Sequence, residues 1–208
     1  MGLRFMKDGT AVKQKSRARI YTRKGDLGET SLLHGPRVGK DHKRIVLVGS
    51  IDELIALLLL SLTKAQNDKM AQTLRNIATR LVVVKRECLS LDPSKSGVRV
   101  VEETQIRILE NAVDFWTDLR DSGSLPEEEP AFFPFLTLAY TVCRRVERDA
   151  TALLRFDPRF SPRIVAWFNR LSDLLLALSD CQKKLGVSLA SVPFDPETLN
   201  AEFDNELI

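Results

Sequence analysis

The chain has 208 residues, of which 44% are hydrophobic and 28% charged, as expected for one soluble globular domain with its own core. Its net charge of +3 is uneven: residues 1–24 hold eight Lys or Arg and one acid, which leaves 23 basic and 27 acidic side chains elsewhere. This mildly acidic body argues against a broad nucleic-acid surface, and the longest apolar run, Leu54 to Leu60, is far shorter than the ~20 residues of a membrane span.

The basic N-terminal stretch has two interpretations. Residues 1–20 are predicted to be a flexible leader, either the remnant of a mitochondrial transit peptide or an ordinary disordered tail. The cytoplasm and the mitochondrial matrix therefore both stay open as locations. Residues 21–190 are predicted to form the folded domain, and residues 191–208 a loose acidic tail.

The cysteines and histidines say more about compartment than about chemistry. Cys88, Cys143 and Cys181 are odd in number and far apart, which predicts free thiols in a reducing compartment. With only His34 and His42 beside them, a structural zinc site is not expected.

The segment from Tyr21 to Ser31 has the composition of a ligand-binding loop. Gly25 and Gly28 permit tight turns and close approach of the backbone to a ligand. Its candidate binding side chains are hydroxyl donors and charged groups: Thr22, Arg23, Lys24, Asp26, Thr30 and Ser31. Such a loop can wrap a polyphosphate with backbone N–H groups and cations, although the P-loop spacing is absent. The alternative is a basic surface turn with two hairpin glycines.

Five segments downstream have helical periodicity and no β-alternation is evident. Helices are predicted at about 43–64, 70–91, 100–119, 135–154 and 163–185, the first with Asp41 as its N-cap. Their short connections predict an all-α antiparallel five-helix bundle, preceded by an irregular nucleotide-binding segment.

Polar residues recur near the apolar faces of three of these helices. Asp52 is expected on the apolar face of the first helix, where a carboxylate needs a partner. On the fourth helix Arg144 and Arg148 share a face, and Glu147 is placed to brace Arg144. On the fifth, Asn169 and Asp173 are likewise four apart. These groups either fix helix register by ion pairing or, in the arginines, neutralise phosphates delivered by the loop.

Several motifs occur in an order that resembles a known family. They are Tyr21-Thr22-x-x-Gly25-Asp26-x-Gly28-x-Thr30-Ser31, Arg37-x-x-Lys40, Asp52-Glu53-Leu54, Cys143-Arg144-Arg145-x-Glu147-Arg148 and Asn169-Arg170-Leu171-Ser172-Asp173. Together they span about 150 residues and resemble the PduO-type ATP:cob(I)alamin adenosyltransferases.

The resemblance implies a fold, a reaction and a set of binding residues. It implies a homotrimer of five-helix bundles that transfers the 5′-deoxyadenosyl group from ATP, with Mg²⁺, to cob(I)alamin. ATP would be held by the loop and Lys40 of one chain. A neighbouring chain would complete the site with its helical residues: Arg144, Arg145, Glu147, Arg148 and Asn169. In the family the acid matching Asp52 pairs with the arginine matching Arg144, and both are expected in the catalytic site with Arg148. A flavoprotein reductase and an adenosylcobalamin-dependent mutase are the protein partners to be expected.

The corrinoid side departs from the family pattern. Where the family has Phe-x-x-Pro-Gly-Gly, this chain reads Ala131-Phe132-Phe133-Pro134-Phe135, so Phe132 or Phe133 is expected to supply the apolar wedge against the corrinoid. Where the family has Ala-Arg-Thr-Val-Cys, this chain has Tyr140 in place of the arginine. These changes keep an alternative open, a non-catalytic ATP-binding relative that carries a corrinoid or serves as a chaperone or interaction module.

Overall fold

The computed structural model describes residues 4–5, 11–12, 21–65, 68–93, 97–98, 100–122 and 134–184. Five long helices lie in this part of the chain. They are α1 (Lys43–Leu62), α2 (Asp68–Leu89), α3 (Glu103–Ser122), α4 (Phe135–Phe156) and α5 (Pro162–Lys184). The predicted all-α five-helix bundle is confirmed, and each predicted helix end lies within three residues of the observed one. The tail at 191–208 and most of the leader are outside the described residues.

The helices pack side by side in the order α2, α1, α4, α5, α3. Apolar residues at spacings of three and four residues line the inner face of the central helix α4: Ala139, Val142, Val146, Ala150 and Leu153, all buried. The largest side chains of the core are Trp116, Trp167 and Phe168, from α3 and α5. Burial of these stripes gives the bundle its stability, since amphipathic packing outweighs intrinsic helix propensity.

Four short strands precede the bundle, in a part of the chain where the sequence shows no β-alternation. Strands β1 (Arg4–Phe5) and β2 (Ala11–Val12) pair antiparallel, as do β3 (Glu29–Ser31) and β4 (Arg37–Gly39). Strands of two or three residues are too short to give a visible alternation of polar and apolar side chains. The β3–β4 hairpin is anchored on the bundle by a bridge between Leu33 and Ser90, just beyond α2.

Helix α1 begins with a different cap from the predicted one. The ring Nδ1 of His42, not the carboxylate of Asp41, accepts a hydrogen bond from the backbone N–H of Arg44 at 3.2 Å. Asp41 is turned back instead, with its carboxylate against Gly39 at the end of β4. The imidazole edge of His42 also packs on Phe156 at 5.6 Å, which ties the start of α1 to the end of α4.

Helix α1 carries apolar side chains on its exposed surface as well as on its buried face. The length of α1 and its mean hydropathy of 2.3 are those of a membrane span. The short apolar run Leu54 to Leu60 did not predict this property of the helix. Core helices of soluble bundles have the same length and hydropathy. One face, including Leu47, Ile51, Leu54 and Leu58, is buried in the bundle. On the rest of its surface Val46, Leu59 and Leu60 are 45%, 51% and 42% exposed.

A buried arginine joins the three helices that meet below the hairpin. Arg44 is 1% exposed, and its Nη1 donates to the carbonyls of Cys88 and Ser90, at 2.8 Å each. Its Nη2 forms an ion pair with Asp157 at 2.9 Å, and its guanidinium lies over the ring of Phe160. Arg44 thus connects the start of α1, the end of α2 and the turn between α4 and α5.

The carboxylate of Asp157 is held in its charged form. Arg159 donates to Asp157 through its backbone N–H and two guanidinium nitrogens, at 2.9–3.1 Å. Hydrogen bonds from Arg159 and then from Arg44 lower the pKa of Asp157 below its usual range. This group therefore favours the folded state at neutral pH, and its contribution is lost as the pH falls towards that lowered pKa.

We expect Asp157→Ala to lower the free energy of unfolding by about 3–5 kcal/mol, because it leaves the buried Arg44 charge uncompensated. Urea unfolding at pH 7 measures this loss. The matched control is Asp121→Ala, which removes the partner of Arg120 from an exposed pair at 2.7 Å and should cost less than about 1 kcal/mol. Equal costs for the two variants would contradict the role given to Arg44.

A buried acid fixes the chain just before α3. Glu87 is 3% exposed, and its Oε2 accepts a hydrogen bond from the N–H of Val101 at 2.7 Å. Burial raises the pKa of Glu87 from 4.5 to about 7, although the Val101 hydrogen bond and the charges of Arg80 and Arg163 oppose the shift. Because the folded state then binds a proton that the unfolded state has released, stability falls as the pH rises from about 4.5 to 7.

We expect Glu87→Gln to stabilise the protein at pH 8 by up to about 3 kcal/mol and to change little at pH 5, because the amide keeps an acceptor for Val101 without a charge. Urea unfolding at both pH values gives the two differences. The exposed Glu103, changed to Gln, serves as the control and should show no such pH dependence. A Glu87→Gln effect that is the same at both pH values would rule out the raised pKa.

Candidate functional site

The glycine-containing loop folds as two consecutive turns. The N–H of Asp26 donates to the carbonyl of Arg23 at 3.4 Å, and that of Gly28 to the carbonyl of Gly25 at 3.2 Å. Arg23 has a φ of +60° and Gly28 a φ of +79°, in the left-handed region that favours glycine. Strain at a non-glycine residue such as Arg23 is typical of ligand-binding loops.

The hairpin closes this loop and brings Lys40 to it. The N–H of Lys40 donates to the carbonyl of Gly28 at 2.8 Å, and Nη2 of Arg37 donates to the carbonyl of Lys24 at 2.7 Å. A Cβ added at Gly25 would lie 3.3 Å from Nζ of Lys40. The predicted binding residues of the loop and Lys40 are therefore close together, with Thr30 and Ser31 on strand β3.

Three of the predicted phosphate-binding cations have no partner among the residues that the structure describes. Within the part of the chain that the structure describes, no hydrogen bond or ion pair engages the side chains of Lys24, Lys40 or Arg148, and all three residues are exposed. Arg23, by contrast, lies over the ring of Tyr21 at 5.9 Å. Unpaired cations on an ordered loop and on a rigid helix can bind an anionic ligand without first breaking a protein contact.

Three of the four arginines of α4 lie in the family motif, and they differ in their contacts. Arg144 donates through Nη1 to the hydroxyl of Tyr140 at 3.1 Å, and its guanidinium lies 5.9 Å from that ring. Arg145 pairs with Glu53 of α1. Among the described residues, no hydrogen bond or ion pair engages the side chain of Arg148, nor that of Arg155 near the end of the helix. Tyr140, which sequence analysis noted only as a departure from the family, is thus the partner of Arg144.

The placement predicted for Asp52 is wrong. Asp52 is exposed rather than buried, and its Oδ1 forms an ion pair with Nζ of Lys85 on α2 at 2.6 Å. Asp52 lies beside the buried stripe of α1 rather than within it, so the helical spacing was too approximate to place it on the apolar face. Within the described chain Asp52 does not pair with Arg144.

Glu147 also has a different partner from the predicted one. Nδ2 of Asn169 donates to its Oε1 at 3.2 Å, so the carboxylate is turned towards α5 rather than towards Arg144. The amide oxygen of Asn169 accepts from Nη1 of Arg170 at 2.6 Å. The structure therefore brings the predicted site residues Glu147 and Asn169 together by joining them to each other.

The loop and the helical cations are separated within one chain. The loop lies at the start of α1, whose His42 packs on Phe156 at the end of α4. Arg148 is eight residues before Phe156, which corresponds to about 12 Å along the helix axis. Among the described residues, no recorded contact joins the loop to Arg144 or Arg148. The two expected wedge residues, Phe132 and Phe133, lie outside the described residues.

The described part of the chain contains no group of three or more His, Cys, Asp or Glu side chains that could hold a metal ion. An Mg²⁺ that accompanies a nucleotide commonly keeps several waters and takes further ligands from the phosphates. Asp26 and Glu29 are the acids of the loop.

Comparison with known proteins identifies the family. The profile of the cobalamin adenosyltransferase family matches residues 20–181. The corrinoid adenosyltransferase PduO of Citrobacter freundii is 34% identical over 170 residues, which are 77% of this chain and 48% of PduO. A corrinoid adenosyltransferase of Mycobacterium leprae is 34% identical over 173 residues, covering 77% of this chain and 89% of that protein. A further corrinoid adenosyltransferase from Citrobacter freundii is 31% identical and covered to 93%.

Solved structures agree in fold. A variant of the PduO-type ATP:corrinoid adenosyltransferase from Lactobacillus reuteri, complexed with cobalamin and ATP, superposes with a TM-score of 0.67 over 79% of this chain and 93% of its own, at 23% identity. At that identity the likeness concerns the fold alone. The bundle with its N-terminal hairpin is thus that of a PduO-type protein, and the chain belongs to the cobalamin adenosyltransferase family. It spans about half the length of the PduO relatives and most of the shorter ones.

Proposed function

We propose that this protein transfers the 5′-deoxyadenosyl group of ATP to cob(I)alamin, giving adenosylcobalamin and triphosphate. The observation that carries the proposal is the set of exposed, unpaired cations Lys24, Lys40 and Arg148, which lie within the family's own motifs. The relatives named above are corrinoid adenosyltransferases, and the Lactobacillus reuteri variant was complexed with both substrates.

The reaction asks for positioning and charge neutralisation rather than a protein nucleophile. Co(I) supplies the electron pair for a new Co–C bond to the 5′ carbon of ATP, and the C5′–O bond breaks. Triphosphate leaves with that bonding pair, and cobalt goes formally from Co(I) to Co(III). The cations of the site stabilise the charge that develops on the leaving oxygen, assisted by Mg²⁺ bound to the phosphates.

The loop and Lys40 are the proposed cradle of the nucleotide. Thr22 to Gly25, with Asp26, Gly28, Thr30 and Ser31, offer hydroxyls and backbone N–H groups along a surface that Lys40 borders. Arg148 is the proposed partner of the departing triphosphate, because its fork is free and exposed. Arg144, Arg145, Glu147 and Asn169 are proposed to complete the site on the helical side.

We propose that the complete site lies between chains of a homotrimer. The loop and Arg148 are separated within one chain, so a triphosphate that contacts both needs helix α4 from a neighbour. The exposed apolar residues of α1, Val46, Leu59 and Leu60, support a neighbour packed on that helix. Asp52 lies on α1 as well, at 55% side-chain exposure, which leaves it accessible to the partner's Arg144 in spite of Lys85.

The relatives also bear on location and partners. The related proteins named above are bacterial, which favours the cytoplasm over the mitochondrial matrix. A reductase that delivers Co(I) and a mutase that accepts the product are proposed partners, because the substrate is strongly reducing and the product is a cofactor.

A non-catalytic corrinoid carrier is the second candidate, and Tyr140 favours it. The family has arginine at this position, whereas the hydroxyl of Tyr140 in this chain is engaged by Arg144. The loss of Gly-Gly before α4 favours it too. Against it, a carrier has no need of free phosphate-binding cations.

We expect the purified protein, supplied with ATP, Mg²⁺ and chemically reduced cob(I)alamin, to form adenosylcobalamin and triphosphate in equal amounts. The visible spectrum reports the corrinoid, and chromatography reports triphosphate. Arg148→Ala should slow transfer while its thermal unfolding temperature stays that of the wild type, because Arg148 has no protein partner to lose. ATP binding without either product would favour the carrier instead.

Co-production of Lys40→Ala and Arg148→Ala chains tests whether two chains share each site. Each variant alone should be nearly inactive, but random mixed trimers should regain about one intact site in four, built from an intact loop on one chain and an intact α4 on the next. Light scattering should report a trimer throughout. Mixed trimers that remain inactive would mean that loop and helix act within one chain.

A further inference from the structure

A hydrogen-bonded chain runs from α3 across α5 to the helical side of the site. Oε1 of Glu110 accepts from Nε of Arg170 at 2.8 Å, and Nη1 of Arg170 donates to Oδ1 of Asn169 at 2.6 Å. Nδ2 of Asn169 then donates to Oε1 of Glu147 at 3.2 Å. Glu110 is the far end of this chain, on a helix that contributes no other residue to the site.

The donors and acceptors in this chain permit one orientation of the Asn169 amide. A guanidinium has donors only, so Arg170 requires the oxygen of the amide. The NH₂ group is then directed at Glu147, and a carboxylate accepts it. A flipped amide would set two donors against each other at one end and two acceptors at the other. Arg170 therefore fixes which atom Asn169 presents to Glu147.

Arg170 in turn depends on Glu110 for its position. Its other acidic neighbour is Asp173, one turn along the same helix, with 3.9 Å between Nη1 and the carboxylate oxygen. Without Glu110 the guanidinium would be drawn to Asp173 and away from Asn169. The bond from Asn169 would no longer hold the carboxylate of Glu147 towards α5.

Glu147 released from Asn169 would compete with a triphosphate. It lies three residues after Arg144 on the same face of the helix, so its carboxylate is within reach of that guanidinium. Its charge already acts on Arg144 in the present arrangement. An acid paired with Arg144 would occupy guanidinium N–H groups that the phosphates need.

We propose that Glu110 is a positioning residue for ATP, which acts through Arg170 and Asn169 to hold Glu147 away from Arg144. This rests on the proposed function, because it assigns the two arginines to the triphosphate. Glu110 touches no substrate in this arrangement, and its whole effect passes through the other three side chains.

The experiment compares ATP binding by Glu110→Ala and Glu110→Gln with a matched control. Asp180→Asn weakens another contact between α3 and α5, in which Arg120 lies 3.8 Å from Asp180. We expect Glu110→Ala to raise the Kd of ATP roughly fivefold, as coupling through a shared network allows. Glu110→Gln should bring most of the affinity back, because its amide oxygen can accept from Arg170. Asp180→Asn should leave the Kd as it is in the wild type, although it weakens a contact between the same two helices.

A double-mutant cycle separates positioning from mere packing. In a Glu147→Gln background the competing charge is absent, so Glu110→Ala should no longer change the Kd of ATP, while any loss of thermal stability should persist. An equal effect of Glu110→Ala in both backgrounds, or an equal effect of Asp180→Asn, overturns the proposal. If Arg148→Ala weakens ATP binding but Glu110→Ala does not, only this inference fails. If the wild type itself does not bind ATP, the proposed function fails with it.

Discussion

The buried charge of Arg44 is the constraint on which the position of the binding loop depends. Its guanidinium takes two carbonyl oxygens at the end of α2, from Cys88 and Ser90, and so satisfies groups that a helix terminus leaves without partners. The same fork holds Asp157 in the α4–α5 turn. Because Ser90 also bridges to Leu33, the hairpin is seated on the very segment that Arg44 organises.

Burial of the Arg44 charge costs desolvation free energy, and this cost explains why several polar groups surround it. An arginine at 1% exposure has given up its hydration, and one carboxylate at hydrogen-bonding distance offsets only part of that loss. The two carbonyls and the ring of Phe160 supply further favourable contacts. Arg159 completes the balance on the other side by holding Asp157 ionised. A hydrophobic residue in place of Arg44 could fill the space but could not join three helix ends.

The helices were predictable from the sequence because their signal is long and repeated. Twenty residues with apolar side chains at spacings of three and four leave little ambiguity, whereas strands of three residues such as Glu29–Ser31 leave no measurable pattern. The hairpin is fixed by main-chain pairing, by the Leu33 bridge and by tight turns, none of which is visible as periodicity. The prediction of Asp41 as the N-cap of α1 was wrong for a related reason. Asp41 and His42 can both accept the capping hydrogen bond, and only packing against Phe156 favours His42.

The candidate site likewise has a part that the sequence predicts and a part that it does not. Motif order located the loop, Lys40, Arg144, Arg148 and Asn169, because these residues are contiguous in short segments. Partners that come from other helices were beyond reach: Lys85 for Asp52, Glu53 for Arg145 and Glu110 for Arg170. Pairing across helices depends on rotation about each helix axis, and an error of one residue turns a side chain by about 100°.

The distribution of these pairs favours phosphate binding. Acids of the bundle form ion pairs with Lys85, Arg145 and Arg170. The proposed function assigns none of these three cations to the triphosphate, and it places only Arg145 at the edge of the site. Of the two acids of α4 beside these arginines, Glu147 accepts from an amide and Asp149 from the hydroxyl of Ser50. Arg144 receives a phenol, which accepts a hydrogen bond but brings no negative charge at neutral pH. Arg144 and Arg148 therefore lie one turn apart on one face of α4 with no carboxylate bound to either in the described chain, and their mutual repulsion is what the proposed triphosphate would relieve.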